Sequence, residues 1–350
     1  MLTSINLRNF RSYANESFEF EPTVNIVVGP NTSGKTNLLE AILLICRGKS
    51  YRANSQNLIM HNKPWARIEA ITNQNTRRVI KVQHDTTPNK TFIIDDQTIK
   101  RLPFKQMLPV VLFEPNQLMQ IVGSPQKRRD FIDDLIEQTT LGYGKLRNTY
   151  IRVLAQRNTV LKTHRSNIHQ HLFPWDVRLS EIGGAIVQER TRLIQEINNN
   201  ITKTYSELAS KPHTVSVIYE SVLDTKRYTN LMLTQLARTV DQDIQRGFTG
   251  IGPHRDDIVI AINHTNIQNG SSRGEVRTLL LALKILESKL LEETRNQKPL
   301  MLLDDVFGEL DGQRRKSLIS HFKQHQTFIT TTDADLVAKT YTSSANIIAL

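Results

Sequence analysis

Residues 29–36 read Gly-Pro-Asn-Thr-Ser-Gly-Lys-Thr, a complete G-x-x-x-x-G-K-[ST] octet, with an apolar run at 24–28 before it and another at 38–44 after it. A strand that turns through such a loop into a helix belongs to an α/β framework, where phosphates rest on a helix N-terminus at the carboxyl end of a strand. The octet also dictates chemistry. Gly29 and Gly34 let the loop formed by Pro30, Asn31, Thr32 and Ser33 aim successive N–H groups at a nucleotide's phosphates. Lys35 adds a mobile positive charge over the β and γ positions, and Thr36 supplies a hydroxyl for Mg²⁺. Thr32 is the awkward member: positive φ is costly for a β-branched residue, so this position is either not left-handed or it is strained.

Around the octet, residues 2–28 read as short strands, 34–46 as a helix, and 65–95 as an antiparallel meander, followed by a buried-strand candidate at 108–113. From about 126 to 246 the texture changes to long helical periods, with one strand-like stretch at 213–219. Strand signals then return at 258–262, 300–303, 328–329 and 347–348, with a helix over roughly 272–291. The alternation predicts one α/β domain assembled from both ends of the chain, residues 1–125 and 247–350, interrupted by a largely helical insertion at 126–246.

A phosphate loop needs a metal ligand and a group that activates water. The apolar strand Leu300-Met301-Leu302-Leu303 ends in Asp304 and Asp305, which assigns Asp304 to the Mg²⁺ shell and Asp305 to the water. Ahead of it, Ser272-Arg273-Gly274-Glu275 opens a helix with Ser272 as its cap, a ready anion site. His254 near Asp256 and Asp257 fits no standard metal spacing and reads better as a turn that starts a strand.

Lys and Arg number 45 against 34 Asp and Glu, a net charge of +11 that favours a polyanionic partner. Two stretches lack acids altogether. Residues 41–68 carry Arg47, Lys49, Arg52, Lys63 and Arg67 with Tyr51 and Trp65, and residues 138–175 carry Lys145, Arg147, Arg152, Arg157, Lys162 and Arg165. Arg47, Lys49, Arg52, Arg147, Arg152 and Arg157 are the candidate DNA contacts, made to phosphate and shape because nothing resembles a base-reading helix. The single cysteine, Cys46, excludes an internal disulfide and a cysteine-based metal cluster and fits a reducing cytoplasm. No run of 18 apolar residues suggests a membrane span.

The order of phosphate loop, helical insertion, Ser-x-Gly segment, paired acids and Glu309-Leu310-Asp311 resembles the ABC-type ATPase heads of the SMC class. More closely, six strings are similar to the RecF family of bacterial recombination mediators: Leu7-Arg8-Asn9-Phe10-Arg11-Ser12-Tyr13, Thr36-Asn37-Leu38-Leu39-Glu40-Ala41-Ile42, Arg128-Arg129-Asp130-Phe131-Ile132-Asp133, Gly252-Pro253-His254-Arg255-Asp256-Asp257, Leu303-Asp304-Asp305-Val306-Phe307-Gly308-Glu309-Leu310-Asp311 and Phe328-Ile329-Thr330-Thr331-Thr332-Asp333. They span nearly the whole chain in the expected order.

The resemblance implies an α/β P-loop ABC-type ATPase head with a helical inserted domain. It further implies an ATP-dependent DNA-binding protein of replication and recombinational repair, acting on duplex and on gapped or single-stranded DNA and loading recombinase with RecR and RecO. Two copies would close around ATP and Mg²⁺, with Ser272, Arg273, Gly274 and Glu275 of one touching the γ-phosphate held by Lys35 of the other. Slow hydrolysis at Asp305 would release the homodimer, Glu309 and Asp311 would form a dimer loop, and Thr332 would occupy the switch position. The chain departs from the pattern at Glu275, where Gln is usual, and at Glu114-Pro115-Asn116-Gln117, where Gln117 takes a lid role without the usual acidic dipeptide. The alternatives are another DNA-associated ATPase of the SMC/ABC class or a non-hydrolysing, ATP-binding interaction module.

Overall fold

The computed structural model describes residues 1–52, 55–83, 89–163, 167–306, 310–332 and 345–350. They form two compact units, Met1–Gln117 with Glu287–Leu350, and Leu118–Leu286. Both chain ends thus share one unit, and the return comes at Glu287 rather than near 247, so the Ser272 segment groups with the middle of the chain.

The first unit begins with β1 (Leu2–Phe10), β2 (Tyr13–Glu19), β3 (Val24–Val28) and α1 (Lys35–Arg47), then β4 (Trp65–Thr72), β5 (Arg77–Gln83), β6 (Asn89–Ile94), β7 (Gln97–Ile99) and β8 (Val110–Phe113). The middle of the chain holds α2 (Leu118–Val122), α3 (Pro125–Thr139), α4 (Tyr143–Leu161), α5 (Ile168–Ala209), β9 (Val215–Glu220), α6 (Tyr228–Arg238), α7 (Val240–Arg246), β10 (Asp257–Ile262), β11 (Thr265–Asn266) and α8 (Ile267–Gly270). Helix α9 (Arg273–Arg295) leads back, and β12 (Leu300–Asp304), α10 (Gly312–Phe322), β13 (Thr327–Thr331) and β14 (Ala345–Ala349) complete the first unit.

Strands β14, β3, β13, β12 and β8 lie side by side in that order, all parallel. Strands β2, β1, β4, β5, β6 and β7 make a second, antiparallel sheet. Between them runs α1. Residues 38–46 of this helix are buried on every face, because β8, β12 and β13 pack on it from one sheet and β4 and β5 from the other. A helix apolar all round has no solvent face to offer, and the sandwich is what its sequence requires. The rigid placement matters for function: the octet begins α1, so two sheets fix the helix whose N-terminus must face a phosphate.

In the second unit α4 and α6 pack on α5, and α5 also lies against β9 of a three-stranded antiparallel sheet. The insertion is therefore helical with a small sheet, of which only the strand near 213–219 was legible as part of it. A Cβ on Gly184 would come within 2.0 Å of Thr229 Oγ1, so the α5–α6 approach demands glycine there. No described helix is long and apolar enough to cross a membrane.

Candidate nucleotide site

The octet leaves the carboxyl end of β3 and curls into α1. Gly34 sits at φ +109°, and a Cβ there would meet Ser12 Oγ and Tyr13 Oη at 2.9 Å, so glycine is required twice over. The Tyr13 hydroxyl donates to the Gly34 carbonyl at 3.0 Å and pins the turn. A Cβ on Gly29 would fall 2.6 Å from Ser33 Oγ, a buried hydroxyl without a hydrogen-bond partner among the described residues. A cradle too tight for one methyl group, with an orphaned hydroxyl in it, fits a phosphate-binding loop.

Thr32 resolves the question its sequence posed: φ is +75°, so the loop is strained. A left-handed β-branched residue costs about 1–2 kcal/mol. Thr32→Gly removes that strain and adds about 0.5–1 kcal/mol of unfolded-chain entropy. The variant should therefore be more stable by up to about 1 kcal/mol, read as a higher urea midpoint; a lower midpoint would show that the hydroxyl's bond to the Asn31 carbonyl outweighs the backbone.

Asp304 ends β12, yet β13 stands between β12 and β3, so the octet and the acid pair are not on neighbouring strands. They meet through side chains. Thr36 Oγ1 donates to Asp304 Oδ1 at 3.0 Å, closing a contact across 268 residues of sequence. Thr330, on the intervening β13, donates to the same oxygen at 2.8 Å and accepts from the Asp305 N–H at 2.9 Å. Tyr51 Oη donates to Asp304 Oδ2 at 3.3 Å, and burial beside that carboxylate pushes its phenol well up. A threonine hydroxyl and a carboxylate side by side are hard oxygen donors of the kind Mg²⁺ takes, so Thr36 and Asp304 are the residues that would hold it; bound there, the ion would neutralise phosphate charge. Asp305 is exposed just past the strand end and held at φ +53°, a conformation that Asp tolerates. Behind the loop, Arg11 grips the fully buried Glu40 of α1 through two hydrogen bonds of 2.9 Å, and Ser50 donates to the same carboxylate. Tyr51, Thr330, Tyr13 and the Arg11–Glu40 pair were absent from the sequence-derived site, although Arg11, Tyr13, Glu40 and Thr330 lie inside the strings that carried the resemblance.

Ser272 is exposed at the start of α9. Its Oγ accepts from the Glu275 N–H at 3.2 Å, while Glu275 Oε2 accepts from the Ser272 N–H at 2.7 Å. This is a reciprocal capping box, and those bonds hold the Glu275 carboxyl below its ordinary range. Glu275 is thus folded back onto the helix end with Arg273 and Gly274 between the partners, its carboxylate bonded to both the backbone and the side chain of Ser272.

Other expected positions fall as follows. Thr332 is exposed just past β13, whose Thr331 pairs with Val28 ahead of the octet. Asp311 caps α10, accepting from the Arg314 N–H at 2.9 Å, whereas Glu309 lies outside the described residues. Gln117 is buried and turned back on Glu114, whose N–H it accepts at 3.4 Å.

Among the candidate DNA contacts, Arg52 and Arg152 are exposed, and Arg47 and Lys49 are half-buried beside the α1 terminus. Arg147 faces Asp133 at 3.1 Å, with Asp130 and Glu137 also in range. Arg157 must be corrected: it is 0% exposed, bonded to Asp176 at 2.6 Å and Asp243 at 2.8 Å, and cannot reach a phosphate.

The His254 segment is structural. Thr249 O faces Nε2 at 3.2 Å, which fixes the proton there and leaves Nδ1 to accept from Tyr150 Oη at 2.7 Å. Asp256 accepts from Tyr219 and Tyr228 at 2.7 Å, Asp257 pairs with Arg128, and no described cluster of His, Cys, Asp or Glu could hold a metal. Burial pushes the His254 imidazole down to about 4. The unfolded chain therefore takes up its proton first, and stability should fall as pH drops from about 6.5 towards 4, by on the order of 3 kcal/mol. Melting temperatures at pH 7 and pH 5 check this: the loss should be smaller in His254→Gln than in the wild type.

The RecF/RecN/SMC N terminal domain family matches residues 1–348. The DNA replication and repair protein RecF of Natranaerobius thermophilus is 32% identical, covering 97% of this chain and 94% of that relative. RecF of Streptococcus agalactiae is 33% identical over 95% of this chain and 92% of its own length. A solved structure of "the recombination mediator protein RecF-ATPrS in RecFOR pathway" superimposes with a TM-score of 0.87 at 28% identity, covering 96% of this chain and 93% of that one. The loop, the acid pair it meets through Thr36, and the capped Ser272 helix thus stand in a chain that matches these proteins from end to end: it belongs to the RecF family.

Proposed function

We propose that this chain is an ATP-dependent DNA-binding protein of replication and recombinational repair, acting at duplex and gapped or single-stranded DNA with RecR and RecO and helping to load recombinase. Two copies close on two ATP molecules, each held by the 29–36 loop and Lys35 of one copy and met by Ser272 of the other. Thr36 and Asp304 hold Mg²⁺, Asp305 orients the attacking water, and slow turnover releases the pair. The observation that carries this reading is the 3.0 Å bond from Thr36 to Asp304, which joins the two halves of a nucleotide site from opposite ends of the sequence. The exposed Ser272 hydroxyl supports the contact in trans, and the capping box supports a role for Glu275 in which its charge is spent on the helix N-terminus rather than on the partner's phosphate. Arg52 and Arg152 are the exposed cations best suited to backbone phosphates, with Arg47 and Lys49 beside the first.

Sedimentation of the protein with and without ATP and Mg²⁺, and with and without a gapped duplex, tests the proposal. The expected result is a monomer that becomes a dimer on ATP and takes up DNA in that form. A dimer that ignores nucleotide, or DNA uptake that is the same without ATP, would overturn it.

A further inference from the structure

A concavity of about 570 Å³ opens in the first unit. Its walls include residues just ahead of β8 and β12, so it lies at the amino-terminal edge of the parallel sheet, the edge opposite the 29–36 loop. Arg78, Lys105, Arg295 and Lys298 line it, and no described Asp or Glu does.

Arg78 carries most of the argument. Its residue is 5% exposed, and its Nε and Nη2 donate to the carbonyls of Ile45 and Gln106 at 2.8–3.3 Å. Nη1, with two N–H donors, has no hydrogen-bond partner among the described residues, and no described carboxylate lies within ion-pair distance of this cation, Asp95 acting on it only from farther away. A desolvated guanidinium that ends on a cavity with one edge open is a donor site for an anion. Gln106 lines the same cavity and keeps its amide oxygen buried without a donor. The two orphans are complementary in kind: one lacks an acceptor, the other lacks an N–H.

We propose that this cavity recognises an acidic peptide segment of a protein partner, a side-chain carboxylate meeting Arg78 and the rim lysines and a backbone N–H meeting Gln106. A peptide offers both a carboxylate and an N–H, whereas the phosphodiester backbone of DNA offers acceptors alone and, as duplex, presents them on a convex surface. The proposal is independent of the nucleotide site, which occupies the other edge of the sheet.

Fluorescence anisotropy tests it with a labelled twelve-residue peptide of alternating Glu and Gly, its Gln and Gly counterpart, and a labelled single-stranded oligonucleotide. The acidic peptide should bind wild type, and the Gln peptide should not. Lys105→Glu combined with Lys298→Glu alters exposed or rim positions and should weaken the acidic peptide about tenfold or more while ATP binding and oligonucleotide binding stay unchanged. Equal binding of both peptides, no binding of the acidic one, or an unchanged affinity in the double variant would overturn the proposal. So would a parallel loss of the oligonucleotide, which would make the cavity part of a nucleic-acid path. Because the peptide pair is compared on wild type, the conclusion does not hang on how well the variant folds.

Discussion

Lys35→Met should cost the protein about 10²–10³-fold in ATP affinity and with it the ATP-dependent dimer. Lys35 is 7% exposed, and its ammonium donates to the loop's own carbonyls, those of Gly29 at 2.7 Å and Pro30 at 2.8 Å. A cation is therefore already folded over the place where phosphates must lie, and it exchanges neutral acceptors for charged ones when they arrive. Hydrogen bonds to charged groups are worth about 1.5–3 kcal/mol each, so two to phosphate oxygens supply about 3–6 kcal/mol; less the two neutral bonds given up, about 3–4 kcal/mol remains, which is the stated loss of affinity. Methionine keeps the length of the side chain and its apolar stem, and the carbonyls left behind lie on a partly exposed loop that water can reach. Folding should change little. Titration with a fluorescent ATP analogue gives the affinity, sedimentation gives the dimer, and a melting curve separates lost binding from lost structure. An affinity within tenfold of wild type would remove the phosphate loop from the proposed function.

How much of this was legible in the sequence depends on whether the signal is local. The octet, the apolar α1 and the acids ending β12 are contiguous strings whose spacing is dictated by the backbone, and each lies where its pattern put it. The capping box is also local, an S-x-x-E at 272–275, yet against the family pattern Glu275 stands out only as a departure from a usual Gln; its role as the residue that reaches back to the cap follows from position N3 of the helix. The strand order was not local. Nothing in residues 300–331 says that β13 inserts between β3 and β12, so neither Thr330 as the bridge to Asp304 nor Tyr51 as a second donor could be read from spacing. The strings at 128–133 and 252–257 carried a resemblance without a visible task. In the structure they interlock: Arg128 pairs with Asp257, Arg129 donates to the Asp256 carbonyl, and Arg190 joins Asp133 to the Pro253 carbonyl. Such a polar lock needs partners more than a hundred residues apart, and its members look like surface charges until the fold brings them together.

Arg157 shows why counting charges along a stretch misleads, and it sets the second large expectation. Residues 138–175 hold no acid, so every cation in them invited a polyanion. The partners of Arg157 stand outside that stretch, Asp176 right after it and Asp243 far along in α7, and Thr249 accepts a third bond at 2.8 Å. Burial holds the Asp176 carboxyl above its ordinary range, with the guanidinium pulling the other way, so this site depends on its single cation. Arg157→Met leaves two buried carboxylates with no counter-charge and should destabilise the protein by about 3–5 kcal/mol. Adding Asp176→Asn and Asp243→Asn removes the stranded charge and should recover part of that loss, because a neutral cluster need only satisfy hydrogen bonds. Urea midpoints of the three proteins measure the stability, and DNA affinity is compared at a temperature where each is folded. A buried structural ion pair predicts lost stability with DNA affinity unchanged per folded molecule; a phosphate contact predicts the reverse, and that result would mean the α4 helix opens to bind DNA.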